Sequence, residues 1–257
     1  MSILTTELLP YLSINRVTDD VTTAGGAISD TSAAAANNKG VRPGFTQWSA
    51  AATITFQSTA AGDTQTIAIK GRVASGAYTT ENLVLTGVTE KVSVNTYERI
   101  LGFDGNTVAV GTITVRQGAG GTTRYTIPIG ETGASAFFIR SASAAGIVIR
   151  YDKMFWKNTN ASLTLNSAQL KLTADPDARI RIGSATTVDD TVTIANRTTA
   201  PGGVTFVDDN VAQDITGVAN TGLAAGSKIG VWIEENLPAS DPAHKTTFTV
   251  QLSGTTV

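Results

Sequence analysis

The residue types that could do chemistry are few in this chain. His244 is the only histidine, so any Ser–His–Asp or similar nucleophile system has to use it. It sits in DPAHKTT, a polar turn ahead of the last apolar alternation, and reads as a surface-loop residue. Paired carboxylates occur at Asp19–Asp20, Asp189–Asp190 and Asp208–Asp209, with Asp175 and Asp177 flanking Pro176 as a fourth cluster. Such pairs can exchange protons or hold calcium. All four lie where turn-forming residues gather, the spacing of an EF-hand loop is absent, and Asp is itself a turn former. They read as turns, and no catalytic residue, metal ligand or cofactor is assigned. Gly118–Gly121 is followed by Thr-Thr-Arg and an apolar alternation, without the Lys and Ser/Thr of a phosphate loop, so it reads as a hairpin connection.

Bulk properties narrow the classes further. The chain has 257 residues, enough for one large β domain or two of ordinary size. Hydrophobic residues make up 41%, enough for a core, whereas only 16% are charged, below the globular norm. The surface must therefore be covered largely by Thr, Ser, Asn, Ala and Gly, which favours burial against neighbouring molecules. A net charge of −2, with no basic patch, argues against binding driven by phosphate neutralisation, so no nucleic-acid partner is expected. There is no cysteine, which excludes disulfides, thiolate metal sites and Cys nucleophiles and suits assembly in a bacterial cytoplasm. MSILTTELLPYL has no basic start and is broken by Pro10, so it does not read as a signal peptide. No stretch approaches the apolar length of a membrane span, and no membrane partner is expected.

The elements that would position these residues are strands. Ile54/Phe56, Ile67/Ile69, Leu83/Leu85, Val92/Val94, Ile113/Val115 and Ile127/Ile129 each alternate with polar or small residues. Ile147/Ile149/Tyr151, Leu163/Leu165, Leu170/Leu172, Ile180/Ile182, Ile229/Val231/Ile233 and Phe248/Val250/Leu252 repeat the style. Period two gives each run one apolar face. Turn chemistry in AAGD, ASGA, FDGN and GAGG separates the runs. The expected fold is all-β: two β-sandwich or jelly-roll-like domains at 46–142 and 143–257, preceded by an extended N-terminal arm at 1–45. The arm is rich in Ala, Gly, Thr, Ser and Asn, and Leu8, Leu9, Tyr11 and Leu12 would anchor it on a neighbouring subunit. Trp48, just after the arm, would plug the base of a sandwich or an intersubunit groove. Tyr151, Phe155, Trp156 and Trp232 lie on alternating runs and read as core; with Tyr151, Trp156 and Trp232 as stacking platforms the chain would instead suit a carbohydrate-binding module.

Between Thr53 and Gly130 the chain resembles a β module of tailed-phage structural proteins. Gly71–Arg72, the Leu83–Gly87 phrase and the run from Tyr97 to Ile100 carry the likeness. YDKMFWKNTNASLTLNSAQLKLTADP and LAAGSKIGVWIEENLPASDPAHKTTFTVQLSG extend it to most of the chain. The resemblance implies a non-enzymatic virion component without catalytic residues. The first expectation is a capsid decoration (cement) protein, a homotrimer bound to the major capsid protein or other virion proteins. A tail, neck or fibre-base position is the alternative.

Overall fold

Alternation becomes strand wherever one face finds a partner. In a computed structural model, residues 2–16, 20–30, 40–138, 145–175, 178–215, 222–241 and 247–256 are described. Their strands, in chain order, are β1 (Leu8–Asn15), β2 (Ala24–Ile28), β3 (Val41–Pro43), β4 (Ile54–Ser58), β5 (Thr66–Val73), β6 (Tyr78–Val84), β7 (Lys91–Val92), β8 (Tyr97–Gly105) and β9 (Ile113–Gln117). They continue as β10 (Thr122–Ile127), β11 (Gly133–Ser135), β12 (Val148–Asn158), β13 (Asn166–Ala174), β14 (Ile180–Val188), β15 (Thr193–Ile194), β16 (Ala212–Asp214), β17 (Lys228–Leu237) and β18 (Thr249–Thr255). The only helical turn among the described residues is a 3-10 turn at Thr5–Glu7. The all-β expectation is met. No described helix is long and apolar enough to cross a membrane.

The chain divides into two units. One comprises Ser29–Phe137; the other joins Met1–Ile28 to Phe138–Val257. The expected boundary at 142/143 lies outside the described residues. Composition did not suggest that the first 28 residues would belong with the C-terminal part.

In the Ser29–Phe137 unit, a four-stranded sheet (β10-β9-β4-β7) and a five-stranded sheet (β3-β11-β8-β5-β6) contribute to one core. Ile54, Phe56, Ile113, Val115 and Ile127 come from the first sheet; Ile67, Ile69, Leu83, Ile100 and Phe103 come from the second. Phe103 is the hub, its ring 5.3 Å from Phe45, 5.7 Å from Phe56 and 5.6 Å from Tyr125, within the range of favourable tilted and edge-on aromatic contacts. Trp48 is buried in this core. Gly71 lies at a register shift between β5 and β8, and a Cβ there would sit 2.8 Å from Arg99 O and against the Tyr97 ring. Gly87 has a φ of +66° and leaves the same lack of room, with Ala61 O 2.7 Å from where its Cβ would be.

In the other unit a six-stranded sheet runs β14-β17-β12-β1-β2-β15, with a three-stranded sheet β16-β13-β18. The expected free arm is corrected here. Residues Leu8–Asn15 form an interior strand, antiparallel to β12 with Leu8 opposite Asn158, Leu9 opposite Lys157, Tyr11 opposite Phe155 and Leu12 opposite Met154. The apolar cluster that looked like an anchor for a neighbour buries itself: Tyr11 packs with Ile28, Phe155 and Leu9, and Leu12 is buried. The physical reason is that β12 offers unpaired backbone and apolar side chains beside this segment, so the chain satisfies its own edge. Residues 31–39 of the expected arm lie outside the described residues.

β17 shows why alternation understates burial. Ile229, Val231 and Ile233 are buried as expected, but so are Gly230 and Trp232 between them and Glu234 just after. A strand covered on both faces keeps no solvent side. Four expected inward positions go the other way: Ile147, just before β12, and Val92, in β7, are exposed, as are two more. Val94 and Ile129 fall outside the strands and are 90% and 65% exposed.

Candidate functional site

The densest concentration of chemistry-bearing groups lies along β12 and the elements packed on it. Period two places Tyr151, Lys153 and Phe155 on one face of β12. Lys153 occupies the position where a hydrophobic residue would be expected, and its side chain is 0% exposed. It pairs with Asp190, whose side chain is 2% exposed. The ammonium also donates to Gly26 O at 3.2 Å and Val192 O at 3.1 Å. It lies 4.8 Å from the Phe155 ring centre and 5.0 Å from that of Trp232, its cross-strand partner. Burial pushes the Lys153 amine down, and the charge and hydrogen bond of Asp190 oppose that shift. Asp190 Oδ1 also accepts from the Val192 N–H at 3.1 Å, while Oδ2 has no hydrogen-bond partner.

Glycine makes room for this pair. A Cβ at Gly230 would sit 2.7 Å from Lys153 Cε, against Asp190 Oδ2, and 3.2 Å from Ala185 Cβ. Gly25, at a φ of +83°, passes under the Trp232 ring, where a Cβ would clash.

The neighbouring residues of β12 carry further pairs. Arg150 donates bidentately to Asp20, at 2.8 and 3.0 Å, and lies 3.6 Å from Glu235. Arg197, its side chain 0% exposed, reaches Asp152 at 3.2 Å, stacks 5.3 Å from the Phe138 ring centre, and leaves Nε and Nη1 without hydrogen-bond partners. Burial raises the Asp152 carboxyl, opposed by Arg197 and the Phe138 N–H. Arg181 pairs with Glu234, and Arg179 holds Asp241 through two bonds of 2.9 and 3.0 Å.

The carboxylate pairs singled out in the sequence are separated by these bonds. Asp189 accepts from Lys228 through both its backbone N–H and its ammonium, at 3.0 and 3.1 Å, while its neighbour Asp190 turns inward to Lys153. Asp208 and Asp209 shape a turn, bonding the Asp209 N–H and the Asn210 side chain respectively. Asp175 accepts from the Ile180 N–H at 3.0 Å. His244, Asp19 and Asp177 lie outside the described residues. Among the described residues no group of three or more His, Cys, Asp or Glu side chains could hold a metal ion. The Gly118–Gly121 segment is the β9–β10 hairpin turn, with Gly118 and Gly120 at positive φ and the Gly121 N–H donating to Gly118 O.

The aromatic candidates sort by burial. Trp232, Phe155 and Tyr151 are buried, so none presents a ring to a ligand; Trp156 is half-buried. Of the five residues expected at an assembly interface, Tyr11, Leu12 and Trp48 are buried within the chain, and Leu8 and Leu9 are half-buried in β1.

Lys153 escaped the sequence reading, although a signal was present: a lysine between Tyr151 and Phe155 on an apolar alternation. Asp63 and Glu81 escaped it as well. Asp63 accepts from the Ser58 hydroxyl and from the Val110 and Gly111 N–H groups at 2.8 and 2.9 Å. Glu81 accepts from the Val94 and Asn95 N–H groups and from the Tyr97 hydroxyl at 3.2 Å. No protein-family model, curated protein or solved structure matches the chain.

Proposed function

We propose that this chain is a non-enzymatic structural subunit of a tailed-phage particle, a capsid decoration protein that stabilises the head by binding neighbouring capsid subunits. In this reading each unit is a β-sandwich-like module and the working form is a homotrimer. The observation that carries the proposal is how the chain uses its few polar groups. Its buried charges are tied to one another or to backbone, while apolar side chains are left outside at sheet edges. β6 and β7 are the edge strands of their sheets, and Val84, Val88, Val92 and Val94 are exposed along and after them. Exposed edges that carry apolar side chains are a liability in a free monomer and an asset in an assembly, where another chain covers them. Low charge and the phage-protein resemblance point the same way.

Binding would act by mass action: a ligand that prefers the assembled shell adds its binding free energy to that shell. No bond need be made or broken. The test pairs native mass by light scattering with binding to capsids that lack the protein. A trimer that binds expanded capsids and raises their resistance to heat or low salt is the expected result. A six- or twelve-fold ring that ignores capsids would move the chain to the neck or tail. Binding to a host polysaccharide without capsid binding would overturn the proposal.

A further inference from the structure

We propose that Lys153 and Asp190 are a self-modification site, joined in the mature chain by an isopeptide bond between Nζ and Cγ. Both side chains are almost fully sealed from solvent and in contact. The aromatic walls of Phe155 and Trp232 and the missing Cβ of Gly230 shape a dry pocket around this one pair. A buried ion pair carries a large desolvation cost, and a neutral amide in the same place removes it. That difference favours condensation here, where in water it would be disfavoured.

The atoms balance without any co-reactant. The ammonium passes a proton to the carboxylate, leaving a neutral amine beside a neutral acid. The nitrogen lone pair attacks Cγ, the Cγ–Nζ bond forms and the Cγ–Oδ2 bond breaks. Oδ2 departs as water, carrying two protons taken from nitrogen, and nothing is oxidised or reduced. The two oxygens are already distinguished. Oδ1 is held by the Val192 N–H and is the one retained as the amide carbonyl. Oδ2 has no hydrogen-bond partner and is the one that leaves. Gly26 O and Val192 O orient the nitrogen, and the single N–H of the product keeps one of these bonds.

The bond would join β12 to the segment entering β15, closing a covalent loop across the six-stranded sheet in a chain that has no cysteine to do so. The proposal is independent of the virion reading. The test is the intact mass of the purified, folded wild-type chain, followed by peptide mapping. The expected result is a mass lower than the sequence mass by one water, and a branched peptide linking residues 153 and 190. Lys153→Arg and Asp190→Ala should both appear at full sequence mass. Asp190→Asn should lose ammonia instead and reach the same final mass as the condensed wild type. A folded wild-type chain at full sequence mass, cleaved by trypsin after Lys153 with no branched peptide, would overturn the proposal whatever the variants do.

Discussion

The two units solve the same problem, where to put carboxylates in a charge-poor chain, in different ways. In the Ser29–Phe137 unit Arg42 holds Glu131, but the other key acids are satisfied mainly by neutral donors. Asp63 and Glu81 collect backbone N–H and hydroxyl groups, and Glu90 receives the Thr55 hydroxyl and the Gly120 N–H beside Arg116. In the unit built from Met1–Ile28 and Phe138–Val257, the acids Asp20, Asp152, Asp189, Asp190, Glu234 and Asp241 each face an arginine or lysine. The difference follows from sheet coverage. β12 and β17 are buried on both faces, so a charge on them has no water and needs an opposite charge. The acids of the other unit sit at loops and edges, where backbone donors left over by turns are plentiful.

This comparison is sharpest under deletion. Removing residues 1–28 takes β1 and β2 from the interior of the six-stranded sheet, together with Asp20 and Gly26 O. Hydrogen exchange should show protection lost in β12, β15 and β17, and retained in β4, β5, β8 and β9. Equal loss in both units would erase the distinction.

Next in size are single core substitutions. Phe103→Ala, at the centre of three ring contacts, should cost about 3–5 kcal/mol in chemical denaturation. Lys153→Met leaves Asp190 buried without its cation or its covalent partner and should cost a similar amount, about 3–5 kcal/mol, while Lys153→Met with Asp190→Leu removes the stranded carboxylate and should recover only part of that loss. Full recovery in the double variant would show that the pair matters only for its charges.

Smaller still is Asp63→Asn, which weakens three accepted bonds and should cost about 1–3 kcal/mol at neutral pH. Its pH dependence carries the sign. Burial alone would raise the Asp63 carboxyl, but the bonds from Ser58, Val110, Gly111 and Gln65 outweigh it and hold the group below its ordinary 3.8. The stabilisation is therefore complete above the unfolded value and fades as pH falls through the lower folded value. The stability gap between wild type and Asp63→Asn should be flat at neutral pH and close only in that acid range. Asp152 has the opposite sign, because burial raises it: its protonation relieves the fold as pH falls through its raised value, and the gain is complete once pH is below the ordinary value. A gap that widened in acid would contradict the bonding at Asp63.

The sequence by itself determined the all-β class, because period-two alternation and turn chemistry are local properties of a few consecutive residues. It also determined the Gly118–Gly121 hairpin and the core placement of Trp232. The same local signal failed at Val94 and Ile129, where alternation ran past the end of a strand into exposed connections. Only the tertiary structure decided that residues 8–12 lie against 154–158, and that Asp20 meets Arg150 across 130 positions and Asp190 meets Lys153 across 37. Which strand completes which sheet, and which charge neutralises which, depend on long-range burial. A strand offers an edge or a covered face without specifying in its own sequence which distant segment will come to satisfy it.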